Sequence, residues 1–149
     1  MANMDFGTFM DTLKVRLEAR AGLSGVQVQT RPFNPDTEPL EGIQLESMNG
    51  SHEHFAMTPS MRDDATLTGK VWAQVTDAAL EPGKASRDRA IVLIGELVTE
   101  VIDVNSQIYT TGAVNDVFLE SWDYELLATD PPGWRAVIDF ELAVIDLSV

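Results

Sequence analysis

GWRAVIDFELAVIDLSV, residues 133–149, decides how the chain is read. Trp134, Ala136, Ile138, Phe140, Leu142 and Val144 take the even positions, while Arg135, Asp139 and Glu141 take odd ones. Alternation with period two marks a strand with one buried face, because successive side chains leave a sheet on opposite sides. After Val144 the phase changes: Ile145, Leu147 and Val149 are apolar, Asp146 and Ser148 polar. A strand that continues to the last residue must be tied down, since termini otherwise fray. Two explanations fit the change of phase. One is a β-bulge near Val144–Ile145. The other is that residues 145–149 leave the protomer's own sheet and pair with a neighbour, which would cover an aggregation-prone edge.

Upstream, Val114–Leu127 reads as a second long strand, joined to the first by the turn signal TDPPG. Trp122 and Tyr124 on one strand and Trp134 on the other predict cross-strand aromatic packing near that turn. Before them, Ser86–Val104 has helical period. Ala90, Ile91, Leu93, Ile94, Leu97, Val98, Val101 and Ile102 cover a wide arc, and Glu96, Glu100 and Asp103 mark a narrow polar side. An arc that wide predicts a helix buried on several sides at the centre of the core, with Gly95 retained for close packing on the sheet.

Further upstream, residues 65–76 alternate again, with Ala65, Gly69 and Ala73 small enough for something to pack closely over them, and with Trp72 interrupting the polar face. Residues 49–62, NGSHEHFAMTPSMR, have no period and read as a long loop or the tip of a long hairpin, expected to order on assembly. Ile43–Met48 and Gly25–Gln29 are short strands separated by the proline-rich RPFNPDTEPLEG. Met4–Ala21 opens the chain as an amphipathic helix, with Phe6, Phe9, Met10, Leu13 and Leu17 on one face. The expected fold is α+β in a single domain, residues 1–149: a mainly antiparallel sheet, two helices on one face, and one long loop or hairpin.

Composition limits the function classes. No run of 18 apolar residues occurs and the first residues lack an apolar signal core, so neither a membrane span nor a signal peptide is expected. Cysteine is absent, which removes disulfides and thiolate metal sites. The net charge of −14 is uneven: residues 1–89 hold 13 acids and 9 bases, residues 90–149 hold 11 acids and Arg135 alone. A half that acidic repels nucleic acid, because phosphate binding needs clustered Lys and Arg.

No catalytic constellation is present. His52 and His54, at i and i+2, would face the same way on a strand and could bind zinc with Asp63 or Asp64, in the manner of a small metal-dependent hydrolase. They are the only histidines, and HExxH spacing is missing. PGKAS lacks the first glycine and the spacing of a phosphate loop. No cofactor is expected. An acidic mimic of DNA, inhibiting a nucleic-acid-binding enzyme, is a further class that the charge allows. Lys84, Arg87 and Arg89 gather at the start of the second helix, where the macrodipole disfavours cations. Either Asp88, Glu81 and solvent absorb them, or they meet an acidic surface on another subunit. A head-to-tail contact of unlike faces closes into a ring.

The order of an amphipathic helix, a GVQV strand, a proline-rich gap, a long alternating strand, the helix RDRAIVLIGELVTEVIDV and two long strands around PPGW resembles the tail terminator and head–tail joining proteins of long-tailed bacteriophages. The resemblance covers most of the chain. It implies no active site and a hexameric ring in the virion neck, assembled in the host cytoplasm. That ring caps the tail tube, ends its polymerisation and meets the head-completion or connector protein, or else the chain is another neck protein of the same virion. The implied partners are further copies of itself, the tail tube protein and the connector, with DNA passing through unbound and no membrane involved. Under that reading Asp116, Glu120, Asp123, Asp139 and Glu141 are candidates for an acidic lumen or interface. Lys84, Arg87, Arg89, Trp72, His52, His54, Phe55, Ile145 and Leu147 are candidates for subunit or partner contacts.

Overall fold

The computed structural model describes residues 6–30, 40–54, 61–75, 83–104, 116–129 and 133–148. Helix α1 spans Phe6–Ala19, and a short 3-10 turn at Ala21–Leu23 leads into strand β1, Gln27–Gln29. Strands β2, Glu41–His54, and β3, Met61–Gln74, precede helix α2, Lys84–Val104. Strands β4, Asp116–Thr129, and β5, Gly133–Ser148, complete the α+β fold. Among the described residues no helix is long and apolar enough to cross a membrane.

The five strands form one sheet in the order β1-β2-β3-β5-β4. Only the β1–β2 pair is parallel. The last strand is therefore interior, bonded to β3 on one side and β4 on the other. Its register against β3 is unbroken from Gln74↔Arg135 to Met61↔Ser148. Neither explanation of the phase change holds. No bulge lies at Val144–Ile145, and residues 145–148 pair within the protomer, with Ile145 opposite both Asp64 and Asp116. What changes there is the face that is apolar, on a strand that does not slip. Val149 lies outside the described residues.

The segment read as a loop at 49–62 is mostly ladder. β2 and β3 pair as a long hairpin from Glu41↔Ala73 out to His54↔Met61, so residues 49–54 and 61–62 belong to its strands and not to its tip. Phe55 and that tip lie outside the described residues. The bulges sit elsewhere, between Leu45 and Ser47 on β2 and between Leu119 and Ser121 on β4. In each the extra residue is a glutamate, Glu46 or Glu120.

The core fills the space between the helices and one sheet face. Phe9, Leu13 and Leu17 of α1 and Ala90, Leu93, Leu97 and Val101 of α2 pack with Ile43, Leu45, Leu67, Val71, Val117, Ile138, Phe140, Leu142 and Val144. Each large aliphatic side chain buried there contributes roughly 1.5–3 kcal/mol. Gly69 of β3 is explained by its cross-strand partner Phe140: a Cβ would run into that ring and into the Gln44 carbonyl. The small residue admits an aromatic ring from its own sheet. Ser86 fixes the start of α2: its buried hydroxyl donates to the Trp134 carbonyl at 2.7 Å and accepts from the Val75 amide at 2.9 Å.

Helix α2 departs from its sequence reading in two ways. Ile91 and Val92 are half exposed, so the helix is buried along one stripe and not on several sides. Glu96 and Glu100 do not mark the wet side. Glu100 is only 4 % exposed and takes hydrogen bonds from Arg16 and Arg20, each at 2.6 Å, while Glu96 takes one from Arg20 at 2.8 Å. Gly95 faces open space: a Cβ added there would meet no atom among the described residues. Gly95→Ala is therefore expected to stabilise the protomer by about 0.5–1 kcal/mol, by lowering the entropy of the unfolded chain. A thermal melt that shows no rise would contradict this.

Candidate functional site

The face of the sheet turned away from α1 and α2 carries Asp123, Asp139 and Glu141, three of the acidic residues singled out in the sequence. On a β-sheet, directly opposed residues share a face. Asp123 of β4 lies opposite Asp139 of β5, and Ser121 lies opposite Glu141. Asp139 lies opposite Lys70 of β3, and Glu141 opposite Thr68. One rung crosses four strands as Ser47, Thr68, Glu141 and Ser121. Its hydroxyls meet at 2.8 Å between Ser47 and Thr68, and the Ser121 hydroxyl donates to Glu141 at 3.2 Å.

Both bulges flank this rung, one on each side of the central β3–β5 pair. A bulge bends its strand and adds local twist, so Glu46 and Glu120 stand where the sheet is bent. An open depression of about 370 Å³ follows, lined by Glu46, Asp123, Asp139 and Glu141, with Lys70 the only base among the described residues of its lining. Lys70 donates to Asp139 at 2.6 Å. Asp123 and Asp139 are like charges directly across the ladder, an arrangement that costs stability. The bond from Lys70 to Asp139 offsets part of that cost.

Towards the hairpin tip a second depression, of about 500 Å³, is lined by Asn49, Thr66, Phe118, Ala143, Ile145 and Glu120, among others. The described residues of its lining include no base, and Phe118 is 44 % exposed. Ile145 is here, so the apolar residues after the phase change belong to this face. By backbone register Asp116 pairs with Ile145 at the same end, while Leu147 pairs with Arg62. The side chains of Asp116 and Leu147 lie outside the described residues, as do those of His52, His54 and Asp63. The backbone puts His52 opposite Asp63.

Several expected contacts are placed differently. Trp72 is fully buried on this same face, against Gly42, whose Cβ would meet the indole. It is not offered to a partner. Val137, Gln44, Gln29 and Arg135 are buried around that end of the sheet, so the face is covered there although neither α1 nor α2 lies on it. Its position was legible as a break in the polar face, but burial on the second side was not. Trp122 and Trp134 do not pair: their partners are Phe140 and Ala128, and both indoles are exposed at the surface, Trp122 most. Arg89 is used within the protomer, forking onto Glu41 at 2.9 and 3.1 Å, and that carboxylate raises its pKa. Arg87 pairs with its exposed neighbour Asp88, at 3.1 Å, and Lys84 is exposed. Arg16, Arg20 and Glu41 as charge partners had no sequence signal, because their partners lie 48 to 84 residues away.

A chain from the virion of a native gene transfer agent particle is similar over almost its whole length. The match covers 94 % of this chain and 96 % of that one, with a TM-score of 0.57 at 12 % identity. This fold is found in a virion. No family model matches the chain, and no curated protein matches it in sequence.

Proposed function

We propose that the chain is a structural protein of a phage-type virion, a ring that closes the end of the tail tube and joins it to the head. The near end-to-end fold likeness to a gene transfer agent virion chain carries this reading, and the acid-lined face supports it. A lumen edged by Asp123, Asp139 and Glu141 offers a passing duplex no counterion release, so DNA slides without sticking. On this reading the cross-strand acid pair serves the lumen. The ring, the neck position, the tail tube protein and the connector as partners, and the absence of catalysis are all parts of this proposal.

The test is mass. Native mass spectrometry and sedimentation of the purified chain, alone and with tail tube protein, are expected to show a closed oligomer of about six copies that shortens or caps assembled tubes. A monomer under both conditions would defeat the reading.

A further inference from the structure

Lys84, Arg87 and Ile91 follow one another on α2 at steps of three and four, so they share one flank of the helix. Ile91 is 52 % exposed. The first turn of α2 holds no acid, so its cations oppose the helix dipole without compensation from that turn. Arg87 and Asp88 form a contact between adjacent exposed side chains, which holds the guanidinium weakly. The flank therefore presents an exposed apolar side chain with positive charge beside it, and the core makes little use of either.

The depression near the hairpin tip has the opposite character, with Phe118, Ala143 and Ile145 as an apolar floor, Glu120 at the bulge, and no base among the described residues of its lining. It lies on the sheet face turned away from α2, so one chain cannot bring its own flank into its own depression. We propose that the α2 flank of one protomer docks in this depression of a second copy, Ile91 against Phe118 and Ile145, and Arg87 paired with Glu120. The contact joins unlike surfaces, so it repeats around a ring. It rests on the ring reading and names the surface that would make the ring.

Sedimentation velocity across a concentration series tests it with Arg87→Glu, Glu120→Arg and the double variant. Both sites are exposed, and an acid in the first turn of α2 suits the dipole, so Arg87→Glu is expected to leave the protomer folded while it weakens assembly. Each single variant is expected to weaken self-association about tenfold or more, and the double variant to recover most of that loss. Should Arg87→Glu fold poorly, Arg87→Gln reports the same loss. Assembly of Arg87→Glu at wild-type affinity overturns the contact and leaves the ring reading standing. Weak singles without recovery in the double variant also overturn it. A wild-type chain that stays monomeric with and without tail tube protein removes the contact and the ring reading together.

Discussion

Trp72→Ala is expected to lower the stability of the protomer by about 3–5 kcal/mol, the range for removing a large buried aromatic side chain. The indole is 0 % exposed and lies against Gly42 on the neighbouring strand. Truncation leaves a cavity over the backbone of β2, whose glycine has no side chain to fill it. A domain of this size has about 5–15 kcal/mol in total, so the loss is a large share. Urea unfolding measures it, and fluorescence supplies a check. Of three tryptophans, Trp122 is 64 % exposed and Trp134 38 %. The Trp72→Ala variant should thus lose the blue-shifted part of the emission, whereas Trp122→Phe should lose the red-shifted part at a cost within about 0.5 kcal/mol. Gly42→Val approaches the same contact from the other side, by placing a branched side chain where the indole lies. Wild-type midpoints for Trp72→Ala and Gly42→Val would show that the face is not covered at this end.

The seam between α1 and α2 gives the second large effect. Glu100 is buried and accepts from both Arg16 and Arg20, and Arg20 also holds Glu96. Arg20→Ala leaves Glu96 without that bond and Glu100 with Arg16 alone. The arginines keep 36 % and 21 % of their side-chain exposure, so the cost falls between the exposed and the buried limits for ion pairs, at about 2 kcal/mol. Glu100→Ala is expected to cost a similar amount, and the double variant less than the sum, by about 1–2 kcal/mol of coupling. Additive losses in denaturant unfolding would show that the three side chains do not act as a unit. Hydrogen bonding to Glu100 is the largest influence on Arg20 and raises its pKa. A raised pKa on a base gives stability that is complete below the unfolded value and is lost only as pH rises through the folded one. Arg20 therefore stays charged throughout the neutral range, and its contribution does not vary there with pH.

Period and composition alone placed β3, β4, β5 and both helices, and they did so for a local reason; of β2 they gave only the first half. The even positions of residues 134–144 and the three- and four-residue steps of Phe9, Leu13 and Leu17 report which side of each element meets a core. Hydrophobic burial follows that periodicity, so element type and inner face could be read. The same periodicity led to the wrong account of Glu100 and Ile91. A helix side can be polar because it faces water or because it faces arginines on another element, and local spacing does not separate the two.

The acidic face shows the same division. Asp123, Asp139 and Glu141 were legible as a surplus of charge in one half of the chain. Only the ladder put them on one face with Lys70, and only the paired bulges set Glu46 and Glu120 at its bends.

The sequence by itself determined the fold class, the inner faces of β3 and β5 and the unequal charge of the two halves, because these depend on neighbours a few residues apart. The tertiary structure alone decided that β5 is interior, that β2 and β3 pair out to His54 and Met61, that Trp72 is buried on the face turned away from α1 and α2, and which arginines serve the core. Strand order, register and charge pairing join residues tens of positions apart. Their choice depends on the closure of the whole sheet and on which side chains share its limited buried volume, which no local window contains.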